Sequence, residues 1–369
     1  MSDIDEVRLE RLRPAGLEAA LARGPIAWIP LGAIEFHAPH LPFGTDGFTG
    51  HGLLERAARR AGGVVLPWSY LTIGTLHFPW TFRYDPAVVA ASVLATVRQA
   101  ADFGARVAVV HTGHAPLDLV HLLKRTCAEA EAEIGAGFRA YGLTYLELNA
   151  ALGAGLGTDW PVAVDHGSIL ETSWMLALEP DLVDLAALPG TDQPAAVGIY
   201  GPDPRAGASA ERGRAPLEAA ADLLAERARA LLDGAAFDPL ADLRVFVERY
   251  WPEAMEVGVG SGTDGEAVLT LAHPGPVSRY LTALGLDLDG RPVAPDSLTL
   301  HNPTPGEPPR PVPASTLGPE SGFYVRRAQT ARLHLADGLP AGRHRVRLRL
   351  GLAGVTSTDI DATVDVPAR

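Results

Sequence analysis

The sequence predicts an α/β protein: a three-layer α/β/α sandwich with a mostly parallel sheet, followed by a C-terminal all-β sandwich domain. Up to about residue 234, apolar strand-like runs alternate with amphipathic helical runs, as in a sheet covered by helices. The run ARVAVVHTG is almost wholly apolar, which is typical of a parallel strand buried on both faces. After about residue 255, alternation with a period of two replaces the helical periodicity.

The first helices and strands can be assigned in order. PAGLEAALARG predicts a helix ended by Gly24, and PIAWIPLG predicts the first, buried strand. DGFTGHGLLERAARRAG predicts a helix with its N-cap near Asp46, and GVVLPWSYL a second strand. DPAVVAASVLATVRQAADFG predicts a helix with Asp85 as N-cap, Pro86 in the first turn and Gly104 at the end.

The alternation continues through the apolar strand ARVAVVHTG. A helix in PLDLVHLLKRTCAEAEAEIG and a strand in FRAYGLTYLEL come next. GSILETSWMLALEPDLVD predicts a further helix, and SAERGRAPLEAAADLLAERARALLDG a long helix that closes the unit. This order of strands and helices is the reason for predicting the three-layer sandwich.

Two domains are expected because 369 residues exceed the size of one small core. We predict an α/β domain over residues 1–240 and a β-sandwich over residues 245–369. The second domain contains the alternating runs AVLTLAH, YLTALGLDLDG, ARLHLADG, HRVRLRLGLAG and DATVDV. Among them, the proline-rich stretch HNPTPGEPPRPVPAS predicts an irregular loop.

Composition excludes several classes of function. A net charge of −13 argues against nucleic acid as the main partner and fits a protein that binds a small molecule. Cys127 is the only cysteine, so neither a disulfide framework nor a thiolate metal cluster is expected. The start MSDIDEVRLERLRP lacks the apolar core of a signal peptide, and no apolar run is long enough to span a membrane. The expected location is therefore the cytoplasm.

The segment IPLGAIEFHAPHLPFGTD contains the first candidate site residues, Glu35, His37 and Asp46. Glu35 and His37 are two apart, so both side chains point to the same side of an extended chain. Two carboxylates and an imidazole at one point suit a divalent cation such as Zn²⁺ or Mn²⁺. The preceding strand places them at a strand's carboxyl end, where open α/β sheets have their sites. The alternative is a chance grouping of the kind found in many soluble proteins.

Two further clusters follow other elements of the predicted sheet. His114 closes the ARVAVV strand, and Asp165, His166 and Glu171 lie in one turn-to-helix segment. Alone, His114 could equally cap a helix, His166 could be a hydrogen-bonded spacer, and Glu171 could be solvated. Together with the first segment, they could hold two divalent ions with Asp46 as the bridge, leaving one histidine for proton transfer.

Other residues are candidates for the substrate side. Thr75 and His77, in IGTLHFPWTF, could line the pocket or belong to a plain loop. Trp80, Trp160 and Trp174 could wall the site or lie in the core, and we prefer the core. Of the three, Trp160 is assigned to substrate binding with Thr75 and His77.

Four ordered motifs over about residues 15–233 resemble the creatininase, or creatinine amidohydrolase, family. Its opening motif P-x-G-x-x-E-x-H-G-x-H-L-P-x-x-T-D stands here as IPLGAIEFHAPHLPFGTD, and its N-G-H motif as Thr112-Gly113-His114. Its H-A-G-x-x-E-T-S motif stands as HGSILETS. GIYGPDPRAGASAERG is similar to the family's Gly-Asp-Pro and Ala-Glu-x-Gly stretch.

The resemblance implies an α/β amidohydrolase with two divalent metal ions, commonly Zn²⁺ with Mn²⁺ or a second Zn²⁺. By position, Glu35 and His114 would bind one ion and His37 and Glu171 the other, with Asp46 as the bridge. Family members are often hexamers, so the resemblance also implies a homo-oligomer.

The resulting hypothesis is metal-dependent hydrolysis of a C–N amide-type bond in a small substrate, cyclic or formylated, by a metal-bound hydroxide. The resemblance implies that His166 transfers a proton, and we count His166 and Glu171 as the catalytic residues. Two alternatives remain open. One is a metal-dependent lyase or isomerase acting on a sugar-derived substrate, and the other is a non-catalytic, ligand-binding member of the family.

The sequence departs from the family on the substrate side. Pro116 stands where creatininases carry a glutamate, Ala115 replaces a tyrosine used against creatinine, and Ile169 replaces a further glutamate. Ala38 and Pro39 stand where the opening motif usually has Gly-Pro. These departures argue against creatinine as the substrate while the metal ligands are kept.

The C-terminal region has a resemblance of its own. YLTALGLDLDGRPVAPDSLTL and GLPAGRHRVRLRLGLAGV look like the small β subunit of C-glycoside deglycosidases. This resemblance implies a sugar-like ligand or a role in oligomerisation, with structural packing as the preferred interpretation.

Overall fold

The computed structural model describes residues 6–153, 165–190, 194–251, 255–262, 266–272, 278–302, 311–325 and 330–368. Trp160 and most of the predicted proline-rich loop lie outside these ranges. The chain divides into two compact units, Met1–Asp242 and Leu243–Arg369.

The first unit is built on a parallel sheet of four strands. They are β1 (Ile26–Leu31), β2 (Val64–Val65), β3 (Val107–Thr112) and β4 (Arg139–Thr144), in the order β2-β1-β3-β4. Every residue of β1 and β3 is buried, which explains their nearly unbroken apolar sequences. Their register pairs the last residues of both strands, so the two carboxyl ends coincide at one edge of the sheet.

Helices cover both faces of this sheet. They are α1 (Pro14–Arg23), α2 (Thr45–Ala61), α3 (Pro86–Asp102), α4 (Leu117–Ile134), α5 (Tyr145–Leu152), α6 (Ile169–Leu178) and α7 (Ala210–Leu232). Short 3-10 turns occupy Leu9–Arg11, Pro180–Leu182, Leu185–Ala187, Pro194–Val197 and Pro204–Ala206. One apolar core packs α3 and α4 against the sheet, and a second packs α2, α6 and α7 on the opposite face. The predicted three-layer sandwich is confirmed.

Several predicted element bounds were wrong. The strand predicted in FRAYGLTYLEL ends at Thr144, because the carboxylate of Glu147 accepts from the amide of Thr144 at the start of helix α5. The strand predicted in GVVLPWSYL is limited to Val64–Val65. The N-cap of α2, expected near Asp46, is Gly44, and Asp46 lies in the first turn of the helix.

The second unit begins within helix α8 (Ala241–Tyr250) and is otherwise strand-rich. Its strands are β5 (Glu256–Ser261), β6 (Ala267–Ala272), β7 (Arg279–Leu288), β8 (Arg291–Val293), β9 (Leu298–His301), β10 (Val312–Pro313), β11 (Phe323–Val325), β12 (Ala331–Leu335), β13 (Gly342–Leu352) and β14 (Thr356–Val366). They form two antiparallel sheets, β10-β9-β12-β6-β5 and β11-β7-β13-β14, with β8 beside β7. The all-β prediction is confirmed.

Among the described residues, no helix combines the length and the apolar character needed to cross a bilayer.

The contact between α6 and α7 gives a stability prediction, because α6 carries a candidate metal ligand. A Cβ at Gly213 would lie 1.9 Å from the carbonyl oxygen of Ser173. We expect Gly213→Ala to lower the free energy of unfolding by at least ~1–3 kcal/mol, the usual cost of overpacking. Urea unfolding measures this. Gly190→Ala is the control, since a Cβ there meets nothing within 4 Å. Equal stability of Gly213→Ala and wild type would contradict the predicted close packing.

Candidate metal centre

Five buried donor residues meet at the sheet edge where β1 and β3 end. Glu35 and His37 follow β1, and His114 follows β3. Asp46 comes from the first turn of α2, and Glu171 from the first turn of α6. All five side chains are less than 10% exposed. The fold therefore gathers residues that are more than 130 positions apart in the sequence.

The turn after β3 needs glycine at position 113. A Cβ there would lie 2.1 Å from Oγ1 of Thr49 and 2.5 Å from the carbonyl oxygen of Asp46. The absence of a side chain lets the chain carrying His114 pass directly against the start of α2. This close approach brings His114 next to Asp46.

One group of donor atoms comprises Glu35, Asp46 and His114, whose ligand atoms lie within 4.8 Å of one another. Nδ1 of His114 is 3.1 Å from Oε2 of Glu35 and 3.4 Å from Oδ2 of Asp46. Two carboxylate oxygens thus face one imidazole nitrogen. We call this group the first cluster.

A second cluster comprises His37, Asp46 and Glu171, again with ligand atoms within 4.8 Å. Nε2 of His37 is 3.2 Å from Oδ1 of Asp46 and 3.6 Å from Oε2 of Glu171. Asp46 belongs to both clusters and turns a different carboxylate oxygen to each. It therefore stands at the centre of the site.

Backbone groups fix the orientation of these donors. Nδ1–H of His37 donates to the carbonyl oxygen of Glu35 at 3.0 Å, and Nε2–H of His114 donates to that of Ile73 at 3.0 Å. Each imidazole is left with its other nitrogen facing carboxylates, the arrangement in which a histidine binds a metal. The amide of Leu76 donates to Oε1 of Glu35 at 2.5 Å, which leaves Oε2 for the first cluster.

Asp165 orients the start of α6. Its carboxylate accepts hydrogen bonds from the backbone amides of Leu170, at 2.7 Å, and Glu171, at 3.3 Å. The amide of Gly167 donates to Oε2 of Glu171 at 2.7 Å. Burial raises the pKa of Asp165 to about 6 despite these hydrogen bonds. Asp165 therefore positions Glu171 without belonging to either cluster.

The electrostatics of the site call for positive charge. Burial lowers the pKa of His37, but Asp46 and Glu171 outweigh it and raise that pKa to about 10. The pKa of His114 is also raised well above its ordinary value, since Glu35 and Asp46 outweigh burial. Burial raises the pKa of Asp46, but the two imidazoles outweigh it and lower that pKa. Three carboxylates buried together thus favour a cation in each cluster.

The donor set fits divalent metal ions. Within the described part of the chain, Oε2 of Glu35, Nε2 of His37 and Oδ2 of Asp46 are buried and have no partner in hydrogen-bonding geometry. Buried polar atoms of this kind usually have a partner, and a cation would supply one. Carboxylate oxygens and imidazole nitrogens are the donors that Zn²⁺ and Mn²⁺ accept.

His166 lies beside the second cluster. Its ring stacks on that of His37, with centroids 4.3 Å apart and planes inclined by 28°. Nε2–H of His166 donates to the carbonyl oxygen of Phe36 at 2.8 Å, so Nδ1 remains available. Burial and the neighbouring His37 lower the pKa of His166 to about 4. A ring nitrogen of His166 that could bind a metal also lies within 4.8 Å of the corresponding atoms of Glu35 and His37.

The residues assigned to the substrate side are placed differently. Oγ1–H of Thr75 donates to the carbonyl oxygen of Phe82 at 3.1 Å, which commits that hydroxyl to the loop. His77 is exposed. Trp174 lies in the core, as preferred from the sequence, whereas Trp80 is 72% exposed, so the core assignment of Trp80 was wrong. Trp160 is outside the described residues.

Three other histidines near the site stay out of the donor clusters found among the described residues. Nε2 of His40 is 2.8 Å from the hydroxyl of Thr172, and burial lowers the pKa of His40 to about 4. His51 lies next to Glu55 on α2. Burial lowers the pKa of His111 to about 3. Proximity in sequence alone did not distinguish these residues from the ligand candidates.

The class of protein follows from two features. The fold is a parallel α/β sheet, and at its strand ends lie two acid–imidazole clusters that share one carboxylate. It is the arrangement of a metal-dependent hydrolase with a dinuclear site.

Comparison with known proteins agrees with this class. Residues 10–228 match the family model Creatininase, described as creatinine amidohydrolase. The creatinine amidohydrolase of Pseudomonas putida is 31% identical over 186 residues, which cover 46% of this chain and 70% of that protein. The chain belongs to the creatininase family.

Solved structures of creatininases share the fold. One of creatinine amidohydrolase has a TM-score of 0.50 at 27% identity and covers 60% of this chain and 96% of that one. A manganese creatininase has a TM-score of 0.52 at 26% identity, covering 62% and 99%. A mutant creatininase of the Zn–Zn type has a TM-score of 0.51 at 27% identity, covering 62% and 98%. Divalent metal ions are therefore the cofactors of this fold and site.

Proposed function

We propose that the chain is an amidohydrolase that cleaves a C–N amide-type bond of a small substrate with two divalent metal ions. One observation carries the proposal: the buried carboxylate of Asp46 is shared by two acid–imidazole clusters. A single ion would leave one of these clusters uncompensated. Membership of the creatininase family supports the same reaction class.

Glu35 and His114 would hold one ion, His37 and Glu171 the other, and Asp46 both. When bound, such ions lower the pKa of water and polarise a carbonyl group. The protein fixes these ligands before any substrate arrives, because backbone amides and carbonyls already orient four of the five side chains. This preorganisation lowers the cost of reaching the reactive geometry.

His166 would carry the proton. Its Nε2–H is committed to the carbonyl oxygen of Phe36, so Nδ1 would take a proton from the attacking water and return it to the departing nitrogen. Stacking on His37 holds the ring in place for both transfers. General acid–base catalysis of this kind contributes about 10²–10⁴ in rate.

The expected substrate is a small amide, cyclic or formylated, other than creatinine. Ala115 and Pro116 follow His114 directly and offer no charged or hydroxyl group to a substrate. The Pseudomonas putida relative is named for creatinine, whereas this chain has apolar side chains next to the shared metal-site motif. We infer that the hydrolytic machinery acts here on a different amide.

The test is product analysis in ¹⁸O-labelled water. Protein loaded with Zn²⁺ or Mn²⁺ is screened against formyl amides and cyclic amides, and the products are examined by mass spectrometry. Hydrolysis places one solvent oxygen in the acid product. A product formed without solvent oxygen contradicts hydrolysis and favours a lyase or isomerase reaction.

Metal removal gives a further prediction. Chelation with EDTA is expected to lower the melting temperature, because it leaves the three carboxylates Glu35, Asp46 and Glu171 without their cations. A ligand at about 100 times its Kd stabilises the folded state by ~2.7 kcal/mol. Differential scanning calorimetry before and after chelation measures the change, and added Zn²⁺ or Mn²⁺ should reverse it. Asp46→Ala is the control, and its melting temperature should not respond to EDTA. An unchanged melting temperature in the wild type would count against the bound ions.

A further inference from the structure

An exposed aromatic cluster lies next to the metal centre. Trp80 is 72% exposed and Phe43 is 41% exposed. Phe82, nearby in the sequence, is 53% exposed and its ring lies against Tyr84. The ring centroids of Phe36 and Phe78 are 5.2 Å apart, those of Phe36 and Phe43 6.4 Å, and those of Phe43 and Trp80 6.2 Å. Large aromatic side chains grouped at a surface indicate a binding site.

The loop of residues 73–82, here called the aromatic loop, carries three of these rings. It is tied at both ends to residues that belong to the metal clusters or adjoin them. Near its start, the carbonyl of Ile73 accepts from His114 and the amide of Leu76 donates to Glu35. Near its end, Oγ1 of Thr81 accepts from the amide of Phe36 at 3.2 Å. The position of the loop is therefore coupled to the geometry of the ligands.

Trp80 has an unusual backbone conformation. Its φ is 63°, in the left-handed region that a bulky residue rarely adopts. Strained conformations of this kind persist where the surroundings impose them, and they concentrate at binding and active sites. Here the conformation accompanies an indole ring that remains 72% exposed.

Pro116 and Asp118 pack against the base of the loop. A Cβ at Gly74 would lie 2.5 Å from Cβ of Pro116 and 2.9 Å from Oδ1 of Asp118. Pro116 is two residues from His114, which belongs to the first cluster. Pro116 thus joins the metal centre to the loop that carries the exposed rings, and these rings suit a planar apolar group better than a charged one.

We propose that the aromatic loop is the substrate-recognition wall of the metal centre and that it binds an aryl group. The substrate would then be an amide that carries an aromatic ring close to its C–N bond. This inference rests on the proposed function and adds the substrate class. Trp80 is its specificity-determining residue, since it has the most exposed aromatic side chain on the loop and its ring contacts that of Phe43.

Calorimetric binding to the zinc-loaded full-length protein tests the proposal without requiring turnover. The probes are benzamide, cyclohexanecarboxamide of similar size, and acetamide. We expect benzamide to bind at least about tenfold more tightly than the other two, because aromatic faces favour a planar ring. Trp80→Ala should abolish this preference, and Trp80→Phe should retain most of it. Val88→Ala removes an exposed apolar side chain from helix α3 and should leave the preference unchanged.

Equal affinities for the three probes, or no binding of any, would overturn the proposal. It would also be overturned if Trp80→Ala left the preference intact. The two proposals fail separately. Amide hydrolysis without an aryl preference contradicts only the role of the loop. An aryl preference without hydrolysis of any amide contradicts only the reaction.

Discussion

Asp46→Ala is expected to remove both metal ions and all measurable turnover. One carboxylate oxygen faces Nε2 of His37 and the other faces Nδ1 of His114, so the substitution takes a donor from each cluster. Each cluster would be left with one carboxylate and one imidazole, too few donors to hold a divalent ion against water. Mass spectrometry of metal content after dialysis, together with an amide hydrolysis assay, measures both effects.

The matched control for this substitution is Asp102→Ala, which removes an exposed carboxylate at the end of helix α3. It should leave metal content and activity at wild-type levels. If Asp46→Ala kept one full equivalent of metal, the two clusters would be independent and Asp46 would not be the bridge.

His166→Ala is expected to keep both ions and to lower the rate by about 10²–10⁴, the range for loss of a general acid–base group. The expectation follows from the free Nδ1 of a ring that is held by Phe36 and stacked on His37. Steady-state kinetics and metal content are measured on the same preparation, and added imidazole should restore part of the rate. His344→Ala removes a half-buried histidine of the second unit that pairs with Asp289; it is the control and should change neither quantity.

Two results would contradict this role for His166. Because its ligand atom lies near those of Glu35 and His37, loss of metal from His166→Ala would make it a ligand instead of a proton carrier. Full activity in the variant would exclude any catalytic role.

The architecture of the first unit could be predicted because its periodicity is strong. Strands β1 and β3 are buried at every position, and this condition produces the unbroken apolar runs seen in the sequence. Their carboxyl ends coincide, so residues that follow each strand meet in space. The rule that residues after parallel strands meet at one sheet edge therefore predicts that Glu35, His37 and His114 lie close together, without knowledge of any side-chain geometry.

After β4, local hydrogen bonding produces a helix where the sequence pattern predicted a continued strand. TYLEL contains residues that favour strands, yet the carboxylate of Glu147 accepts a hydrogen bond from the backbone amide of Thr144 at 2.9 Å where the helix starts. The N-cap of α2 was expected near Asp46, and Gly44 takes that position. The carboxylate of Asp46 instead lies between the imidazoles of His37 and His114. In both cases, interactions of particular side chains determine where the helix begins.

The groups that orient the metal ligands could not be predicted. The carbonyls of Ile73 and Phe36 and the amide of Leu76 lie outside regular helices and strands, where no periodicity indicates their direction. The same limit applies to His40, which lies inside the opening motif but bonds to Thr172 instead of joining a cluster. Only the three-dimensional path of the chain distinguishes such residues.

The most direct test of the dinuclear centre is a crystal structure of the zinc- or manganese-loaded protein with anomalous scattering measured at the metal's absorption edge. The account predicts two anomalous peaks, one among Glu35, Asp46 and His114 and one among His37, Asp46 and Glu171. A single peak, or donors that turn away from an empty pocket, would contradict it.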